Sequence, residues 1–114
     1  MIKIYDNDPK LSLDLDLPSY GGQGVWLFDG KPFNGIIIYI NENKKIYAEE
    51  QLKDGMRNGR QLEYWENGKF KEEYLEKEGL YISSYKRWSE DGTLVFHEEN
   101  DEFGNWKETI IDIE

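Results

Sequence analysis

Residues 54–77 read DGMRNGRQLEYWENGKFKEEYLEK, and the fold turns on how this stretch is read. The runs on either side of Asn67-Gly68 alternate polar and apolar side chains with the two-residue period of a strand. Asn-Gly between two such runs is the strongest short-range hairpin signal, because a type I′ turn requires positive φ at both central residues. The stretch therefore reads as strand, tight turn, strand, with glycine-containing links near Asp54-Gly55 and Glu78-Gly79.

Outward from it the pattern recurs. Residues 29–53 (DGKPFNGIIIYINENKKIYAEEQLK) and 78–101 (EGLYISSYKRWSEDGTLVFHEEND) align with 54–77 without gaps. Asn43, Asn67 and Asp91 lie 24 residues apart, as do Gly35 and Gly59, and a unit of that length is too short for two helices and a turn. Asp91-Gly92 repeats the hairpin signal, and Asn43-Lys44 is a weaker version. Even-numbered positions are apolar: Ile36, Ile38 and Ile40, Leu62 and Tyr64, Trp88, then Ile46, Ala48 and Leu52, Phe70 and Tyr74, Leu94 and Phe96. They are expected to form one core face. Odd positions, including Tyr39, Tyr47, Glu49, Glu63, Trp65, Glu73 and Tyr85, are expected to form a polar face carrying aromatics.

The flanks extend the same architecture. Residues 11–17 (LSLDLDL) alternate as a half-buried strand, Pro18 and Gly21-Gly22-Gln23-Gly24 break it, Val25–Phe28 resume, and Asn105–Ile113 close the chain. The three prolines fall within the first 32 residues, so the repeats keep their ladder donors. A single alanine, Ala48, against 11 glycines and 15% aromatics disfavours helices and favours strands. The expectation is one all-β domain: an antiparallel meander of about eight strands, with N-terminal strands in 1–28, three hairpin repeats in 29–101 and a C-terminal strand in 102–114. Four ways of covering its apolar even face stay open: a curled sheet, residues 1–28 folded across it, a homodimer, or a partner.

Residues 29–77 resemble the YwqK-type antitoxin family, strings of MORN-variant repeats. The resemblance is carried by Lys31-Pro32-Phe33-Asn34-Gly35, by Asp54-Gly55 and Gly59, and by Tyr64-Trp65-Glu66-Asn67-Gly68-Lys69-Phe70. The third block departs from it at Ser83 and Ser89, and residues 1–28 and 103–114 lie outside it. The resemblance implies a bacterial immunity protein that neutralises a cognate toxin domain by direct binding. The alternative is a MORN-like scaffold that binds a protein or glycan and has no toxin partner, since repeat folds host many functions.

The residues themselves favour binding over chemistry. His97 is the single histidine and lacks an HxxxH or HExxH partner, and the pairs Asp6/Asp8 and Asp14/Asp16 lack the glycine and distal glutamate of a calcium loop. Gly21-Gly22-Gln23-Gly24 lacks the following Lys and Ser/Thr of a phosphate cradle, no serine sits in a G-x-S-x-G context, and cysteine is absent. No catalytic residue, cofactor or metal is expected. A net charge of −10 disfavours nucleic acid and anionic lipid, and the longest apolar run, Ile36–Ile40, is far short of the roughly 20 residues of a membrane helix. With no secretory pattern at residues 1–10 the expected location is the cytoplasm. Residues 78–114 hold most of the excess charge, with ten acidic against three basic residues. The expected partner is accordingly a basic toxin domain, such as a nuclease or another enzyme with a cationic cleft, met by opposite charge. Candidate contacts are Tyr39, Tyr47, Glu49, Glu63, Trp65, Glu73 and Tyr85, together with the acidic run Glu98, Glu99, Asp101 and Glu102.

Overall fold

A computed structural model describes residues 1–19, 22–77, 81–100 and 106–110, with Tyr81 and residues 106–110 described by backbone alone. The strands are β1 (Lys3–Tyr5), β2 (Leu11–Asp14), β3 (Val25–Phe28), β4 (Lys31–Pro32), β5 (Gly35–Ile40), β6 (Ile46–Lys53), β7 (Met56–Tyr64), β8 (Phe70–Lys77), β9 (Tyr81–Trp88), β10 (Leu94–Asn100) and β11 (Trp106–Ile110). Eight of them form one sheet in the order β1-β5-β6-β7-β8-β9-β10-β11, and β2-β3-β4 form a second, three-stranded sheet. The expected all-β antiparallel meander of hairpins runs from β5 to β11 within a sheet of eight strands, but not through the N-terminal strands. Residues 11–32 leave the large sheet for the small one, and β1 joins β5 in parallel.

The turns redistribute the sequence signals. Asp29 and Gly30 have φ of 54° and 79°, and Asp54 and Gly55 have 53° and 79°, so both Asp-Gly pairs make two-residue links with positive φ throughout. They join β3 to β4 and β6 to β7. At Asn67-Gly68 and Asp91-Gly92 only the glycine is left-handed. There Trp65 N–H bonds the Lys69 carbonyl and Gly68 N–H the Trp65 carbonyl, with Ser89, Gly92 and Thr93 repeating the arrangement. These are three-residue loops with a left-handed third position, not two-residue turns. The loops also hold one another: Asn43 Nδ2 donates to Glu66, Asn67 Nδ2 to the Glu90 carbonyl, and Lys69 Nζ to the Asp91 carbonyl.

Each hairpin then absorbs one extra residue. Tyr64 pairs Phe70 but Glu63 pairs Glu72, leaving Lys71 as a bulge, and the same register shift leaves out Tyr47 in the first hairpin and Val95 in the third. Past the bulge an even residue on one strand opposes an odd residue on the other. The expected even face therefore survives only as far as the pairs that close each loop, and beyond them Ala48, Leu52, Tyr74 and Phe96 cross to the side of Ile37 and Tyr39. We refer to the two sides as the Ile37 face and the Leu62 face.

The small sheet packs on the Ile37 face at the β5–β6 end. Phe33, Ile37 and Leu52 are buried there, with Ile4, Leu11, Trp26, Phe28 and Tyr39 packed against them. Ile37 has no exposed surface at all, which is worth roughly 1.5–3 kcal/mol for such a side chain. Gly55 is required at the seam: a Cβ there would stand 2.3 Å from Val25 Cγ1 and 2.5 Å from the Trp26 carbonyl oxygen. Its backbone instead donates to Phe33 and accepts from Trp26, tying the β6–β7 link to the small sheet. The N-terminal residues do fold across the sheet, though not over the even positions of β5 that were expected to need a cover. They cover the side that carries odd positions in β5 and even positions in β6.

Candidate protein-recognition face

Beyond the small sheet no other described strand packs on the Ile37 face, and cross-strand pairing fixes what it presents, with Glu50 and Gln61 buried at its near end and the rest partly exposed. One row of neighbours runs Glu50, Gln61, Tyr74, Tyr85, Glu98, and the next runs Ala48, Glu63, Glu72, Arg87, Phe96. Tyr74 and Tyr85 stack with centroids 5.9 Å apart at 5°, and Phe96 meets Tyr85 edge-on at 5.7 Å. Three strands thus contribute one aromatic ladder, bordered by carboxylates, with Arg87 lying over Phe96 at 5.9 Å.

The carboxylates of this face are under-compensated. Glu50 and Glu76 share Arg57, at 2.6 Å and 3.4 Å, and Tyr39 Oη donates to Glu50 at 2.9 Å. Glu72 accepts from Tyr85 Oη at 3.0 Å. Among the described residues Glu63 and Glu98 have no hydrogen-bond or ion-pair partner, and Glu63 sits directly across from Glu72. Like charges opposed on neighbouring strands cost stability. The titrations carry the same sign: burial raises the Glu76 carboxyl above the usual range, and raises Tyr39, Tyr74 and Tyr85, with Glu50, Glu63 and Glu72 respectively adding to the shift. Tyr39, Glu50 and Arg57 also wall two depressions. One is a 420 Å³ cleft beneath Trp26 and Leu13, and the other a 270 Å³ groove reaching Glu63 and Tyr74.

The candidates read from the sequence divide between the faces. Tyr39, Glu63, Tyr85 and Glu98 share the Ile37 face. Glu49, Glu73 and Glu99 lie on the opposite side, which corrects the grouping of Glu49 and Glu73 with the odd-face aromatics and separates Glu99 from Glu98 in the acidic run. There they are engaged: Glu49 by Lys3 and Tyr64, Glu73 by Arg60 at 2.5 Å, and Glu99 by His97 and Ser84. Tyr47 is the bulge residue of the first hairpin, its ring 6.0 Å from Tyr39. Trp65 opens the second loop, with its indole donating to the Trp88 carbonyl and Lys71 over its ring, so it belongs to the loop stack. Asp101 and Glu102 lie outside the described residues. Tyr74, Glu72 and Phe96 were missed because parity alone put Tyr74 and Phe96 with the core. The signal was the register: an odd pairing sum, as an Asn-Gly turn of two residues would also give, sets even against odd.

No protein-family model, curated protein or solved structure matches the chain. Among the described residues no group of His, Cys, Asp and Glu is arranged to hold a metal ion, and no helix is long and apolar enough to cross a membrane.

Proposed function

We propose that this chain is a cytoplasmic bacterial immunity protein that binds a cognate, basic toxin domain through the open part of the Ile37 face and blocks its active site without catalysis. The observation that carries this reading is the register, which gathers Tyr74, Tyr85 and Phe96 with Glu63, Glu72 and Glu98 on one uncovered surface. Rigid aromatics flanked by charge are what an interface centre uses, because they bury large area with few rotors to fix. The excess of carboxylates over Arg57 and Arg87 on this face supplies the complement: a cationic cleft would relieve the Glu63–Glu72 opposition while steering encounter. The resemblance of residues 29–77 to YwqK-type antitoxins supports the same reading.

Growth of a bacterium expressing the C-terminal domain of the neighbouring gene product, with and without this protein, tests it. Rescue is the expected result. Tyr85→Ala should weaken the complex about 30-fold, corresponding to roughly 2 kcal/mol at an interface aromatic. A toxic domain that binds this protein neither in growth nor in solution would set that pairing aside and favour the scaffold reading.

A further inference from the structure

The Leu62 face carries a different surface. The pairs that close the three loops, Ile40–Ile46, Tyr64–Phe70 and Trp88–Leu94, all point to it, and each recurs 24 residues on. They form an apolar stripe across β5 to β10, with Tyr64, Phe70 and Trp88 in consecutive ring contact at 5.5 Å. Ile46 and Phe70 stand 41% and 38% exposed. Among the described residues the small sheet packs on the other face, and the buried core is confined to a few side chains near β3, β5, β6 and β7. So small a core leaves an open sheet marginal until more apolar surface is covered.

We propose that this stripe is the interface of a two-fold homodimer. Two observations select a second copy over another occupant. The first is charge. Glu49 and Glu73 are ion-paired with Lys3 and Arg60 and Glu99 is hydrogen-bonded to Ser84, so this face holds little unpaired charge to repel an identical surface, whereas the Ile37 face, with Glu63 and Glu98 unpaired, would repel itself. The second is shape. Beside the projecting Ile46 and Phe70 lie depressions of 500 Å³, between Ile46 and Gly68, and 270 Å³, between Phe70 and Gly92. Knob and hole on one patch is the self-complementarity a two-fold contact needs. In such a contact the two sheets would pack aligned as the halves of a sandwich, with the loop charges of Lys45 and Glu66 at the rim. The Ile37 faces then point outward, one on each side.

Sedimentation equilibrium of the full chain tests this without any toxin. The expected mass is twice 13.6 kDa at about 100 μM, falling toward the monomer on dilution. Ile46→Lys and Phe70→Lys should each weaken association at least tenfold while keeping the strand signature in circular dichroism, and Glu63→Lys on the other face should leave the mass unchanged. A monomer throughout that range would overturn the proposal. So would a dimer that both stripe variants leave intact, or one that Glu63→Lys alone disturbs.

Discussion

Positions 24 residues apart occupy equivalent places in the sheet, so the two faces can be compared repeat by repeat. On the Leu62 face the loop-closing positions stay apolar: Ile40, Tyr64 and Trp88 on one strand, Ile46, Phe70 and Leu94 on the other. Positions of the Ile37 face, further from the loops, change character. Ile37 becomes Gln61 and Tyr85, Ala48 becomes Glu72 and Phe96, and Leu52 becomes Glu76 and Asn100. The first repeat spends this face on the small sheet, and the later repeats expose it. One backbone unit thus keeps its loop-closing pairs apolar and varies the rest of both faces, since Ile38 on the Leu62 face likewise becomes Leu62 and Lys86; a constant stripe suits a contact with copies of itself, and varied positions suit a contact with something else.

The sharpest way to break the comparison is to truncate equivalent residues. Ile37→Ala should cost about 3–4 kcal/mol, since the side chain is wholly enclosed. Tyr85→Ala, at the same place two repeats on, should cost about 1 kcal/mol. Urea unfolding measures both, and equal costs would mean that the later repeats are packed as tightly as the first.

Glycines offer a second contrast. Gly55→Ala meets Val25 and the Trp26 backbone and should cost about 2–3 kcal/mol, from overpacking added to a left-handed φ. Gly68→Ala has nothing within 4 Å and should lose about 1 kcal/mol, from φ alone. Were the two losses equal, the small sheet would not be seated on that link.

Titration sharpens the comparison more gently. Burial raises Tyr39 on one face and Tyr64 on the other, their carboxylate partners Glu50 and Glu49 adding to it. The unfolded chain therefore releases these protons at lower pH than the folded one. Their contribution is complete below about pH 10 and declines as pH rises above it. Absorbance titration at alkaline pH should show these phenols ionising late, together with unfolding. The smallest effect concerns Glu76, whose raised carboxyl makes the folded state the better proton binder. Its stabilising contribution is present at acid pH and lost as pH rises through the folded value. Glu76→Gln should therefore gain stability relative to the parent between pH 4 and pH 7, by no more than about 1 kcal/mol given its Arg57 contact. Denaturation of both proteins at the two pH values measures the difference.

Much of this architecture is legible in the chain. Asn67-Gly68, Asp91-Gly92 and the 24-residue recurrence locate the hairpins, and the three loops do fall there. The faces are not legible from parity alone, because the pairing sum across each turn decides them: it is odd past the bulge residues Tyr47, Lys71 and Val95, and would be odd for a two-residue Asn-Gly turn as well. A bulge is a register event with no fixed residue signature when its backbone needs no glycine. The small sheet was hidden for another reason: Asp29-Gly30 reads as the start of a repeat, yet it closes β3 onto β4. Of the proposed contacts, Tyr39, Glu63 and Tyr85 were visible as exposed-parity residues and Glu98 as part of the acidic run, whereas Tyr74 and Phe96 required the pairing.

The chain carries its own controls for the central claim, because Glu72 and Glu73, and likewise Glu98 and Glu99, are sequence neighbours on opposite faces. Carboxyl labelling with a carbodiimide and glycine ethyl ester, read by tandem mass spectrometry with and without the cognate toxin domain, resolves each one. The account predicts that toxin protects Glu63, Glu72 and Glu98 and leaves the labelling of Glu73 and Glu99 unchanged. Protection of Glu73 and Glu99 with Glu72 and Glu98 still labelled would contradict it.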